Sequence, residues 1–146
     1  MKPGKMRDEL LAQHEGVRGR LAAALRASHQ WACGKTPASR LRDELERLDA
    51  ALRSHHLSEE RALRELARRI EEGAPGRDAM LTPEHVGEHR ELSDALFRLG
   101  SNPDPGDSGR ELEKFSARLL AHLTWEEKAF LNAAVLRDEE STEKGR

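Results

Sequence analysis

Apolar side chains recur at spacings of three and four residues in four separate stretches of the chain. This period lines them up on one face of an α-helix, and Gly and Pro residues divide the stretches from one another. We therefore predict four helices, over about residues 5–28, 37–72, 83–99 and 110–137. The apolar stripes comprise Leu10, Val17, Leu21 and Leu25; Leu41, Leu45, Leu48, Leu52, Leu66 and Ile70; Leu92, Leu96 and Leu99; and Leu112, Phe115, Leu119 and Ala133.

The segments between the stripes carry the residues that begin and end helices. Thr36-Pro37 and Thr82-Pro83 each read as an N-cap followed by a first-turn proline. Residues 29–34 are predicted to be a connector, and residues 102–109, rich in Pro, Gly and Asp, are predicted to be a loop. Short connections favour antiparallel neighbours, so the prediction is an all-α, up-down-up-down four-helix bundle formed by a single domain over residues 1–146.

Composition narrows the possible functions. Of the 146 residues, 36% are charged with a net charge of only −2, which gives no basic face for nucleic acid. Cys33 is the one cysteine, so neither an internal disulfide nor a cluster of thiolate ligands is expected. No signal peptide and no membrane-spanning run is apparent, so we expect a soluble, cytoplasmic protein without a membrane partner.

Polar residues interrupt each stripe where the period calls for an apolar side chain. A buried carboxylate without a partner costs several kcal/mol, so such residues are expected to be compensated by metal cations. A lone histidine in a stripe is usually an ordinary core residue, but here every helix contributes and all the positions fall at roughly one level of the bundle. The predicted metal ligands are His14, His55, Glu59, His85, His89, His122 and Glu126.

Two registers compete in the second helix, because His56/Glu60 repeats the spacing of His55/Glu59 one residue later. An internal repeat favours the first pair: residues 59–63 match residues 126–130, which aligns His55 with His122. We therefore expect His56 to be the more exposed neighbour. By the same logic Glu126 faces the centre, and Glu127 lies on the flank.

Some polar residues are predicted to lie outside the ligand set. Glu60 is a candidate hydrogen-bond acceptor for a ligand histidine. His29 is expected at the surface.

Two octahedral metals present about twelve ligand positions. Five histidines, two bridging carboxylates and a bridging oxo or hydroxo group fill about eleven of them, which leaves one position open for a small diatomic ligand. The donor set suits iron, and also manganese or zinc. The chain has no tyrosine and no Glu-x-x-His pair, which argues against a tyrosyl-radical oxidase and against a ferritin-like di-iron protein.

The motifs His14-Glu15, His55-x-x-x-Glu59-Glu60, His85-x-x-x-His89 and His122-x-x-x-Glu126-Glu127 resemble the hemerythrin family, including its bacterial HHE-type cation-binding domains. The resemblance extends from about Met6 to Val135. It implies a non-haem centre of two iron ions joined by an oxo or hydroxo bridge. By analogy His85, His89 and His122 hold one iron, His14 and His55 hold the other, which has the open position, and Glu59 and Glu126 bridge.

One departure separates the chain from the oxygen carriers of that family, in which an aspartate stands five residues after the last histidine. Here Glu126 stands at the fourth position, as in many HHE domains. Related HHE domains include nitric oxide responders, iron–sulfur repair proteins, iron sensors and peroxidase-like proteins. The resemblance therefore implies binding of oxygen or another small oxidant, such as nitric oxide or peroxide. The alternatives are a di-iron oxidase, peroxidase or nitric oxide-handling enzyme, or a metal-responsive interaction module, and the oligomeric state stays open.

Overall fold

The computed structural model describes residues 2–69 and 82–131. They form four helices: α1 (Pro3–Ala32), α2 (Ala38–Arg69), α3 (Pro83–Leu99) and α4 (Pro105–Ala129). Each helix packs against the next one along the chain, and α1 also packs against α4, which closes the ring. The predicted all-α, up-down four-helix bundle is therefore confirmed.

The buried apolar side chains form two separate clusters along the bundle axis. Along α1, along α2 and from α4 into the two residues that follow it, buried histidines or glutamates separate residues of the larger cluster from residues of the smaller one. A polar layer thus divides the core. The smaller cluster consists of Met6, Leu10, Leu63, Leu66, Phe130 and Leu131, and the larger one is built around Val17, Leu21, Leu48, Leu52, Leu92, Leu96, Leu119 and Leu123.

The first helix continues for one turn beyond its predicted end at residue 28, because no helix-breaking residue occurs before Gly34. Gly34 takes a positive φ of 71°, which a residue without a Cβ adopts at little cost. The amide of Lys35 then donates to the carbonyl of Gln30 at 2.8 Å, the long bond of a Schellman cap. His29 and its neighbours are therefore helical and do not form the predicted connector.

The fourth helix begins at Pro105, inside the segment predicted to be a loop up to residue 109. Asp104 is the N-cap, and its side chain accepts from the amide of Gly106 at 3.1 Å. Pro105 has the fixed φ that suits the first helical position and lacks the amide that would be left unbonded there. The cap and the proline outweigh the glycines in this turn, so the predicted start at residue 110 is wrong.

The remaining helix ends agree with the prediction to different degrees. The third helix spans the predicted residues 83–99, and Thr82 accepts from the amide of His85 at 3.1 Å. Within the described residues the fourth helix ends at Ala129, where Phe130 and Leu131 turn into the smaller apolar cluster. Ile70, Ala133 and the predicted helix ends at residues 72 and 137 lie outside the described residues.

Charged residues cover the outward helix faces. They form pairs one turn apart, such as Arg53 with Asp49 at 3.1 Å and Arg47 with Glu44 at 3.2 Å. Exposed pairs of this kind contribute only a few tenths of a kcal/mol each, in the range of about 0.3–0.5. Among the described residues, no helix has an apolar stretch of the length needed to cross a membrane.

Adjacent leucines on α4 test the assignment of the core. Leu119 is fully buried, whereas Leu120 is 39% exposed. We expect Leu119→Ala to lower the free energy of unfolding by about 2–5 kcal/mol, because it removes buried contacts and leaves a cavity. Leu120→Ala should cost less than about 1 kcal/mol. Chemical denaturation of the two variants checks this, and equal losses would contradict the packing.

Candidate metal centre

The polar layer between the two apolar clusters contains all seven residues predicted to bind metal. Each is buried, and the most accessible of them, His122, is only 7% exposed. Helix α1 contributes one histidine, α3 contributes two, and α2 and α4 each contribute a histidine and the glutamate one turn later. The structure therefore brings together His14, His55, Glu59, His85, His89, His122 and Glu126.

The ligating atoms fall into two groups, in each of which they lie within 4.8 Å of one another. Ligands about 2.1 Å from one octahedral ion are separated by about 3–4.2 Å, so both groups have the dimensions of a metal site. The three-histidine group comprises His85, His89 and His122 with Glu126, and the two-histidine group comprises His14 and His55 with Glu59 and Glu126.

Glu59 presents one carboxylate oxygen to each group. Its Oε2 lies 3.1 Å from Nε2 of His55 and 3.5 Å from Nε2 of His14. Its Oε1 lies 3.2 Å from Nε2 of both His85 and His89. The carboxylate therefore spans the two groups.

Glu126 is placed in the same way. Its Oε1 lies 3.1 Å from Nε2 of His14, on the side of the two-histidine group. Its Oε2 faces the other group, at 2.5 Å from His85, 3.2 Å from His89 and 3.1 Å from His122. Two carboxylates that each direct one oxygen to either side have the arrangement of bridging ligands between two ions.

Three of the histidines also form a hydrogen bond on the side of the ring that faces away from the centre. In each, Nε2 faces the centre and Nδ1 donates to an oxygen outside it, which fixes the ring and its tautomer. The acceptors are Glu127 for His14 at 2.8 Å, Gln13 for His55 at 2.8 Å and Glu60 for His89 at 2.9 Å.

Several polar atoms at the centre are buried and lie close to one another, but they make no contact with hydrogen-bond geometry in the described part of the chain. They include Nε2 of His14, His55 and His122 and both carboxylate oxygens of Glu59. Buried polar groups are almost always satisfied, because each unsatisfied one costs about 1–3 kcal/mol. Metal cations would satisfy these lone pairs, so the donor set fits a pair of divalent or trivalent ions.

The charges of the cluster also depend on one another. Burial disfavours a charged imidazole, but contacts with Glu126 and Glu59 outweigh it and raise the pKa of His14 and His89 to about 10 and that of His85 to about 9. Conversely, burial disfavours the charged form of both carboxylates, yet the surrounding histidines hold their pKa values well below the usual range. In the absence of metal, protonated histidines therefore balance the two glutamates.

His56 was predicted to be the more exposed neighbour of His55 on a flank of the helix, but both are buried, with His56 only 5% and His55 2% exposed. The ring of His56 stacks on that of His89, with centroids 3.8 Å apart and planes 5° from parallel. Burial and the neighbouring His89 and His55 lower the pKa of His56 to about 2, so it stays neutral. The internal repeat could have predicted this burial, because it aligns His56 with Leu123, an apolar residue that is fully buried.

The other flanking residues lie as the pattern predicts. Glu126 is fully buried at the centre, whereas the side chain of Glu127 is 26% exposed and reaches His14 from outside. Glu60 accepts a hydrogen bond from His89, and His29 is exposed. Gln13 was not predicted to take part, because a single glutamine beside a histidine has no distinctive spacing.

The raised pKa values predict how pH affects the metal-free protein. A histidine whose folded pKa exceeds its ordinary value of 6.5 stabilises the fold fully below that pH, and this stability is lost as pH rises through the folded pKa. The melting temperature of the metal-free protein should therefore fall by several degrees between about pH 6.5 and pH 10. With metal bound the histidines are already unprotonated, so this loss should disappear. Thermal melts of both forms check this, and parallel pH profiles would contradict it.

A known protein family matches the chain. No curated protein and no solved structure matches the chain. The family model described as the Hemerythrin HHE cation binding domain matches residues 5–134, a span that includes all seven residues of the cluster. The chain therefore belongs to the hemerythrin family, as a member of its HHE cation-binding domains.

Proposed function

We propose that the chain is a non-haem di-iron protein that binds oxygen, or another small oxidant such as nitric oxide or peroxide, at an open position on one iron. One domain would carry the whole site, with His85, His89 and His122 on one ion, His14 and His55 on the other, and Glu59 and Glu126 bridging. The observation that carries the proposal is that each of the two carboxylates directs one oxygen to each histidine group.

Charge supports bound cations, and the geometry of the donors supports a pair of ions over a single one. Two fully buried carboxylates lie in a layer between apolar clusters, where the cost of an uncompensated charge is high. The four helices together supply two groups of nitrogen and oxygen atoms, and each group has the dimensions of a metal site. Imidazole and carboxylate donors suit iron, which would supply the redox-active coordination position at which oxygen or nitric oxide binds.

The repeat within the bundle suggests where the open position lies. The α1–α2 half and the α3–α4 half carry matching residues along their buried faces. Matching residues on α2 and α4 are Leu48, Leu52, His55, Glu59 and Leu63 with Phe115, Leu119, His122, Glu126 and Phe130. Matching residues on α1 and α3 are His14, Val17 and Leu21 with His89, Leu92 and Leu96.

One predicted ligand has no counterpart in the other half of the repeat. His85 lies one turn before His89, and the corresponding residue one turn before His14 is Leu10. Leu10 cannot ligate a metal, so the two-histidine group has one histidine fewer than the three-histidine group. We infer that the open coordination position faces Leu10.

The surroundings of Leu10 favour a small, uncharged ligand. Leu10 is 3% exposed and belongs to the smaller apolar cluster with the fully buried Leu63 and Phe130. His14 itself is fully buried, so a ligand must pass between packed side chains to reach it. A charged substrate would lose its hydration and a bulky one would disrupt the packing, whereas a diatomic molecule would do little of either. This favours ligand binding over turnover of a larger organic substrate.

Metal content tests the ligand assignment. The purified protein should contain about two metals per chain, mainly iron, since the seven donors form two groups. His55→Ala should lose metal and stability together, because buried carboxylates are left uncompensated. His29→Ala is the matched control and should change neither. Elemental analysis that finds one metal or none in the wild type, or equal iron in both variants, would contradict the proposal.

Substitution at Leu10 tests the open position. We expect azide or nitric oxide to change the visible spectrum of the iron-loaded wild type. Leu10→His supplies the missing histidine, so this variant should keep two irons but lose that change. Leu11→His, at the partly buried neighbouring position, is the control and should keep the response. A Leu10→His variant that holds two irons and still responds to azide like the wild type would show that the open position lies elsewhere.

A further inference from the structure

The helices α2 and α4 each carry two consecutive glutamates, Glu59-Glu60 and Glu126-Glu127. The second glutamate of each pair contacts a histidine on a helix of the other half of the bundle. Glu60 on α2 accepts from Nδ1 of His89 on α3, at 2.9 Å. Glu127 on α4 accepts from Nδ1 of His14 on α1, at 2.8 Å. The two contacts correspond under the repeat, since Glu60 matches Glu127 and His14 matches His89. In each pair the first glutamate faces the centre, and the second supports a histidine of the opposite half.

The two supporting carboxylates differ in their own contacts. Oε2 of Glu127 lies 2.8 Å from a guanidinium nitrogen of Arg18, and the same arginine contacts Glu15 at 2.8 Å. Glu60 is 20% exposed at its side chain, and no arginine or lysine of residues 2–69 and 82–131 pairs with it. The carboxylate behind His14 is therefore held in place and partly neutralised, whereas among the described residues only the imidazole of His89 holds the one behind it.

We propose that Glu127 and Glu60 are positioning residues that set the metal affinity of the two groups separately. Glu127, held by Arg18, retains the ion of the two-histidine group through His14. Glu60 retains the ion of the three-histidine group through His89. This inference rests on the proposed di-metal site but is independent of which small molecule binds there.

The physical basis is the orientation and basicity of the imidazole. An acceptor at Nδ1 holds the proton on that nitrogen, so Nε2 is free to coordinate, and it holds the ring against rotation. A carboxylate acceptor also increases the electron density on Nε2. Loss of such a partner typically weakens metal binding by about 10- to 100-fold. An amide oxygen keeps the hydrogen bond without the charge, and Gln13 already fills that role behind His55.

The experiment follows the loss of iron from the full chain after addition of a chelator. In Glu127→Ala, one of the two ions should dissociate about 10- to 100-fold faster than in the wild type, and the other at the wild-type rate. The azide response should disappear with that first ion. In Glu60→Ala the ion of the three-histidine group should dissociate first, so the azide response should persist after that ion is lost. Glu15→Ala, which alters only the exposed contact of Arg18, is the control and should match the wild type.

Glu127→Gln separates positioning from a general effect on folding. It should release iron more slowly than Glu127→Ala, because the amide oxygen can still accept from His14, and its metal-free form should melt near the wild-type temperature. Loss of both ions at one accelerated rate in either alanine variant, or wild-type rates in both, would overturn the proposal. So would the same order of loss in Glu127→Ala and Glu60→Ala. A wild type that holds fewer than two ions would instead contradict the proposed function itself.

Discussion

The fold depends on two carboxylates that have no access to water. Glu59 and Glu126 are fully buried between apolar clusters, where a carboxylate without compensation costs several kcal/mol. Every helix supplies at least one imidazole to compensate them, which ties the four helices to one another at this level. The same cluster that constrains the packing has the donors and dimensions of a two-metal site. Stability and metal binding are therefore expected to be linked in this protein.

Much of this arrangement could be predicted from the sequence, because it follows from periodicity. The buried faces of the helices follow the three-four spacing, and the residues that interrupt it at one level must meet in the core. Helix ends were harder to predict, since they depend on tertiary contacts or on a single cap. Phe130 ends α4 by turning into an apolar cluster, and Asp104 starts that helix before two glycines that suggest a loop. Neither effect has a clear local signature.

Residues around the centre show the same limit. The seven cluster residues share a stripe, so spacing identified them. Gln13 and Arg18 lie off the stripe and take part only because α1 packs beside α2 and α4. The burial of His56 was not predicted, because the buried face of the second helix was taken to be a single stripe. A helix enclosed by two neighbours buries a broader face, and the repeat partner Leu123 lies on that face as well.

The repeat gives the centre near-symmetry, and the departures from it suggest how two chemically similar groups come to differ. Leu10 in place of a histidine lowers the number of histidines on one side, and Arg18 behind Glu127 changes the charge there.

We expect two ions to lie side by side between the histidine groups. Anomalous diffraction at the iron edge from crystals of the iron-loaded protein would locate them. Two peaks are expected, one beside His85, His89 and His122 and one beside His14 and His55, with Glu59 and Glu126 between them. A single peak, or density ligated by His56 and Glu60, would contradict this arrangement.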